Sequence, residues 1–187
     1  KLGIKVSRVV DVFADPLSDT VLAYILMISR KILEKDDVVR KNNWSKISSY
    51  TVRERVLGIV GLGHIGKELA RKATSLGMEV LFYDTKDIVC NIPNTRKVDF
   101  DNLLKNSDFI SIHCDLNDES KHMFAAKEFS KMKDDSVIIN TARGSIINEK
   151  DLIVAIQESR IAGACLDVFE KEPLANESPL KGLKNVF

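Results

Sequence analysis

Three glycines in the run Val56-Leu-Gly-Ile-Val-Gly61-Leu-Gly63-His-Ile-Gly66 are spaced as G-x-G-x-x-G between an apolar stretch and a helical pattern. That is the spacing a dinucleotide phosphate cradle needs. Gly61 lets the chain turn sharply, Gly63 carries no Cβ to hold a pyrophosphate off the backbone, and Gly66 lets a helix pack close to its strand. An anion would then rest on peptide N–H groups at a helix N-terminus, where the backbone dipole favours negative charge. A second apolar stretch, Met78-Glu-Val-Leu-Phe-Tyr-Asp84, ends in a carboxylate 18 positions after Gly66 (84 − 66). A spacing of about 20 suits an acid that accepts hydrogen bonds from an adenosine ribose. An Asp that merely closes a strand would leave the preceding glycines without a role.

For these residues to converge, the chain must alternate strands and helices. Strands are expected at 55–60, 80–83, 109–114, 137–141 and 164–168, with a short extended piece near 97–98. Helices are expected at 67–76, 101–105, 125–132 and 149–158, the last capped by Asn148. A further long helix should run from an N-cap at Ser18 to about Asp37, followed by a polar loop at 38–50 in which Trp44 anchors to a neighbour. The alternation predicts an α/β fold: a Rossmann-type, doubly wound, mostly parallel sheet with helices on both faces. In such a sheet every strand's carboxyl end lies on one edge. Gly61, Asp84, Cys114, Arg143 and Asp167 all fall at such ends, where a ligand crevice forms. In Val137-Ile-Ile-Asn-Thr-Ala-Arg143-Gly144, two small residues precede a guanidinium suited to a two-pronged grip on a carboxylate. By position alone, that Arg serves equally well as a structural partner for a loop carboxylate.

Composition narrows the classes. At 187 residues, 44% hydrophobic and 29% charged, the chain suits one ordinary globular domain. A formal charge of +1 gives no reason to expect nucleic acid or an anionic membrane as partner. No apolar run reaches membrane-spanning length, and no signal-peptide layout opens the chain. Three dispersed cysteines, Cys90, Cys114 and Cys165, form neither a C-x-x-C pair nor a zinc spacing, so no metal is expected. Free thiols in a reducing, cytoplasmic compartment are the natural reading.

Four ordered segments carry a family resemblance: Gly61-Leu-Gly-His-Ile-Gly66, Ser111-Ile-His-Cys114, Ile139-Asn-Thr-Ala-Arg143-Gly144 and Gly163-Ala-Cys-Leu-Asp-Val-Phe-Glu-Lys-Glu172-Pro173. Together they resemble the nucleotide-binding domain of the D-isomer-specific 2-hydroxyacid dehydrogenases. The resemblance implies that His64 and Ile65 offer N–H groups to the pyrophosphate and that Asp84 holds the adenosine ribose. Cys114 would lie beside the adenine ribose. Thr141 and Ala142 would lie near the nicotinamide half, and Asp167 would bind its carboxamide. It further implies NAD as cofactor and a small 2-hydroxy or 2-keto acid as substrate. Arg143 would grip that substrate's carboxylate and carbonyl, and Glu172 would pair with a catalytic histidine and raise its pKa.

The departures are equally definite. The family's Pro-His segment is expected beyond a strand that begins at Lys184-Asn-Val-Phe187, and its second domain from residues outside the chain, with 1–16 as the edge of that domain and 17–187 as the Rossmann core. His64, His113 and His122 occupy other motif positions. A single domain of a normally two-domain protein should therefore bind NAD without turnover. Asp115 stands where the family usually has proline after His-Cys. Asp84 favours NAD over NADP, with Lys86 nearby opposing that preference. The same resemblance also implies a homodimer formed through this domain. An NAD-sensing corepressor-like module is the alternative role; a methyltransferase would leave Arg143, Asp167 and Glu172 idle.

Overall fold

The computed structural model describes residue 5 and residues 12–187. Twelve elements follow one another: α1 Ala14–Ser29, α2 Ile32–Arg40, β1 Val56–Val60, α3 His64–Ser75, β2 Glu79–Tyr83, β3 Thr95–Lys97, α4 Phe100–Asn106, β4 Phe109–Ile112, α5 Ala126–Phe129, β5 Val137–Asn140, α6 Glu149–Gln157 and β6 Gly163–Leu166. The strands form a single sheet in the order β3-β2-β1-β4-β5-β6, and every pairing is parallel. This is the doubly wound order, with the direction of winding reversing between β1 and β4. Beyond β6, residues 185–187 continue the parallel ladder: Ala164 N–H donates to Asn185 O, and Phe187 N–H to Ala164 O, each at 3.0 Å.

Strand residues alternate between two cores, as a sheet covered on both sides requires. Leu57, Ile59, Val80, Phe82, Phe109, Val137, Ile139 and Cys165 pack with Val21 and Ile25 of α1 and Leu69, Ala70 and Ala73 of α3. Val60, Ile110, Ile112, Ile138, Ala164 and Leu166 pack with Leu103 and Leu104 of α4, Phe129 of α5 and Leu152 and Ile156 of α6. At the amino edge, the carboxylate of Asp108 locks the first register. It accepts from Val56 N–H at 2.6 Å and pairs with Arg55 and Lys133, so β1 and β4 start together.

Two expectations for the first helices are corrected. Ser18 is no N-cap: α1 begins at Ala14, and the Ser18 hydroxyl is buried and donates to Asp15 O at 2.8 Å. Pro16 explains the earlier start, because a residue without N–H fits the first helical turn, where that group has no partner. Nor does one helix run to Asp37. Lys31 sits in the left-handed region at φ 50°, which ends α1 and turns the chain into α2. Lys72 of α3 then holds Asp15 and Asp19 at 2.8 and 2.6 Å, tying the start of α1 to α3. Trp44 does not anchor its loop to this domain, since its side chain is 91% exposed. Residues 1–16, expected as the edge of a second domain, lie largely outside the described residues.

Candidate nucleotide and substrate site

Each glycine of the loop has a distinct steric reason. Gly61 sits at φ +94°, and a Cβ there would meet the His113–Cys114 peptide at 2.8 Å. Positive φ together with that contact admits no other side chain cheaply. A Cβ on Gly66 would lie 2.3 Å from Gly61 O, so the helix rests directly on the turn. At Gly63 a Cβ would meet nothing within 4 Å, which leaves an open approach to the backbone. The helix starts at His64, three residues before the expected Lys67, and its first intrahelical bond runs from Lys67 N–H to Gly63 O at 2.9 Å. His64, Ile65 and Gly66 therefore form the first turn itself. No acidic residue lies in that turn to compete for an anion.

A cleft of about 390 Å³ opens at the carboxyl edge over the reversal point, walled by Gly61, Gly63, Asp84, Lys86, Cys114 and Met123 among others. Asp84 is half-buried at the end of β2. One carboxylate oxygen accepts from Leu62 N–H at 2.8 Å and the other from Lys86 N–H at 2.9 Å. The acid predicted for the ribose is thus held by the phosphate loop itself. Cys114 lines the cleft as a neutral thiol, pushed up to about 11 by burial and then by the neighbouring Asp115 and Asp84 charges. His113 hydrogen-bonds Ser111 Oγ through Nε2 at 2.8 Å, and burial lowers its pKa to about 4, so it is uncharged at neutral pH.

The remaining predicted residues lie further along the same edge and do not wall this cleft. Thr141 is buried, and its hydroxyl has no hydrogen-bond partner among the described residues. A buried hydroxyl without a partner is costly, so this one is poised for a ligand. Asn140 braces the turn that follows: its side-chain oxygen accepts from Ala142 N–H at 3.0 Å, and its amide donates to Arg143 O at 2.9 Å. Arg143 is exposed, donates to Ala142 O at 2.6 Å, and forms no ion pair among the described residues. The structural reading of this Arg, a partner for a loop carboxylate, is not what the fold shows. Asp167 follows β6, four strands from Asp84, a span of roughly 19 Å at ordinary strand spacing. Glu172 closes its own turn by accepting from Phe169 N–H at 3.0 Å.

Several wall residues were not legible in the sequence. Asn117 and Ser120 build a tight turn on one side, Asn117 Oδ1 accepting from two N–H groups at 2.9 Å. An Asn three residues before a Ser signals a turn, but nothing local says which cleft it faces. Tyr24 of α1 does not wall this cleft, and its phenol pKa is raised by burial and then by the Asp167 charge. A larger cleft of about 730 Å³ lies at the opposite, amino edge near Arg55 and Gly163, and none of the predicted site residues lines it.

The family profile described as "D-isomer specific 2-hydroxyacid dehydrogenase, NAD binding domain" matches residues 22–187. The chain belongs to this family. It is 41% identical to a glyoxylate reductase of Thermococcus litoralis over its whole length, which is 59% of that relative. Among solved structures, a D-lactate dehydrogenase with NAD+ from Lactobacillus jensenii aligns with a TM-score of 0.83 and 28% identity, covering 93% of this chain and 57% of that one. A probable 2-hydroxyacid dehydrogenase of Rhizobium etli, in complex with NADP, HEPES and L(+)-tartaric acid, aligns at 0.90 with 29% identity, covering 100% and 62%. The chain thus spans about three fifths of these relatives, as an NAD-binding domain of the 2-hydroxyacid dehydrogenases. The open backbone at Gly63, the helix end behind it and the unpartnered Thr141 hydroxyl fit a dinucleotide lying along the edge.

Proposed function

We propose that the protein containing this domain moves a hydride between NAD(H) and a D-2-hydroxy acid or its 2-keto acid. The exposed guanidinium of Arg143, with no ion pair among the described residues, carries the reading. It stands beside the orphan Thr141 hydroxyl, on the half of the edge opposite the adenosine end. When bound, the nicotinamide supplies or accepts the hydride. Arg143 holds the substrate carboxylate by two parallel N–H bonds and polarises the adjacent carbonyl. Glu172, whose Oε2 takes no hydrogen bond among the described residues, pairs with a histidine contributed from beyond residue 187 and keeps that imidazole protonated. The histidine gives its proton to the keto oxygen as the hydride arrives. Asp84 selects NAD, because its charge repels a 2′-phosphate. His64 and Ile65 hold the pyrophosphate, Cys114 borders the adenosine, Ala142 and Thr141 border the nicotinamide, and Asp167 accepts from the carboxamide. The glyoxylate reductase relative favours a small keto acid as substrate.

The test has two arms. The 187-residue chain should quench or shift NADH fluorescence on titration yet reduce neither glyoxylate nor hydroxypyruvate, whereas the full-length protein should reduce at least one. In the full-length protein, Arg143→Gln should lower kcat/KM about 10- to 100-fold, the effect of one lost charged hydrogen-bond pair. Rapid reduction by the short chain would remove the need for an outside histidine. An unchanged Arg143→Gln would remove that residue from the reaction.

A further inference from the structure

One side-chain hydrogen bond at the carboxyl edge has no role in the reaction above. His122 Nε2 meets Glu170 Oε1, joining the loop after β4 to the turn after β6. His122 is fixed by its backbone as well. It sits in the left-handed region at φ 52°, uncommon for a residue with a Cβ, and its N–H donates to Ser145 O at 2.8 Å. On one side of it, Met123 and Ser120 wall the nucleotide cleft, and Met123 N–H donates to Ser120 O at 3.1 Å. On the other side, Glu170 belongs to the turn that Glu172 closes through Phe169 N–H, and Glu170 N–H donates to Glu149 Oε2 at 3.3 Å. Gly144, next to Arg143, presses on this turn so closely that a Cβ would fall 1.9 Å from the Phe169 carbonyl. The cleft wall, the segment after Arg143 and the Glu172 turn thus meet at one residue, His122, through its backbone N–H and its imidazole.

We infer that His122 and Glu170 are positioning residues that transmit occupation of the nucleotide cleft to the turn carrying Glu172. A ligand pressing on Met123 and Ser120 moves the base of His122, and the His122–Glu170 hydrogen bond carries that displacement to Glu170, two residues from Glu172. Both side chains are partly exposed, so the pair adds little to global stability. Its effect is on geometry, where a small misplacement lowers a rate steeply. The consequence for turnover rests on the dehydrogenase reading; the coupling itself needs only NADH in the cleft.

The experiment uses the full-length protein, wild type, His122→Asn and Glu170→Gln. Asn tolerates the left-handed backbone but is too short to reach Glu170, while Gln keeps an acceptor for His122. Hydrogen exchange of peptides covering 168–173 is followed with and without saturating NADH, beside steady-state kinetics and a melting curve. The expected result is slower exchange on NADH binding in the wild type and its loss in His122→Asn. The kcat should fall about 5- to 20-fold while the KM for NADH moves less than about twofold, the signature of a misplaced rather than missing contact. Glu170→Gln should keep part of both responses. Equal NADH protection in wild type and His122→Asn overturns the inference, even if the variant melts earlier. NADH-dependent protection in a wild type that reduces no keto acid upholds the coupling and defeats the dehydrogenase reading. Absence of NADH binding defeats both.

Discussion

Asp84 shows how one carboxylate serves two ends. Its oxygens already staple Leu62 and Lys86 N–H groups, so the acid proposed to hold the adenosine ribose is oriented before any ligand arrives. Lone pairs remain for a ribose because each ionised oxygen accepts more than one bond. His113, two strands over, carries the clearest pH signature. Its pKa is lowered by burial from 6.5 to about 4, so the unfolded chain binds the extra proton more readily between those values. Stability should therefore be complete above pH 6.5 and decline as pH falls toward 4, by at most about 3 kcal/mol from this residue. Urea melts at pH 7 and pH 4.5 test it: His113→Gln should flatten part of the difference. An identical slope in the variant would show that the loss comes from other groups.

At the scale of elements, α3 and the glycine loop behave as one unit, since Gly66 rests on Gly61 O. Gly66→Ala forces a Cβ into a 2.3 Å contact with that backbone oxygen, which cannot swing aside as a side chain would. The helix must lift by more than an ångström, at a cost of about 1–3 kcal/mol typical of overpacking. The first turn of α3 then leaves its place at the cleft, so NADH affinity and melting temperature should fall together. A melting temperature unchanged from wild type with full affinity would show that α3 tolerates the shift. Helix α1 carries the opposite lesson. Its apolar spacing was readable, but its bounds were not, because Pro16 and the left-handed Lys31 set them against the propensity of the flanking residues.

At the scale of the molecule, the apolar side chains of Ile32, Leu33 and Val39 on α2 and of Trp44 in the loop after it are exposed. We propose that these side chains meet a second copy of the chain, in keeping with the homodimer that the family resemblance implies. Sedimentation equilibrium of the full-length protein should show a dimer, and Trp44→Glu should weaken it by about 10-fold or more, as loss of a buried aromatic anchor does. A monomer with native Trp44 would end that proposal. Among the described residues no helix is long and apolar enough to cross a membrane, and no group of three or more His, Cys, Asp or Glu residues is placed to hold a metal.

What the sequence determined by itself was everything set by local period and local sterics. The strands were visible as apolar runs between turn residues. The Asn148 cap was visible too, and its side chain does accept from Asp151 N–H. The loop glycines announced themselves because each answers a backbone need met within a few residues or across one neighbouring strand. Parallel order then carried Gly61, Asp84, Arg143 and Asp167 to one edge. Only the tertiary structure decided the rest: that the Thr141 hydroxyl is left without a partner among the described residues, and that His122 meets a carboxylate 48 positions away. Contacts between loops far apart in the chain leave no period behind. They are fixed by how strands already in register aim the segments that follow them.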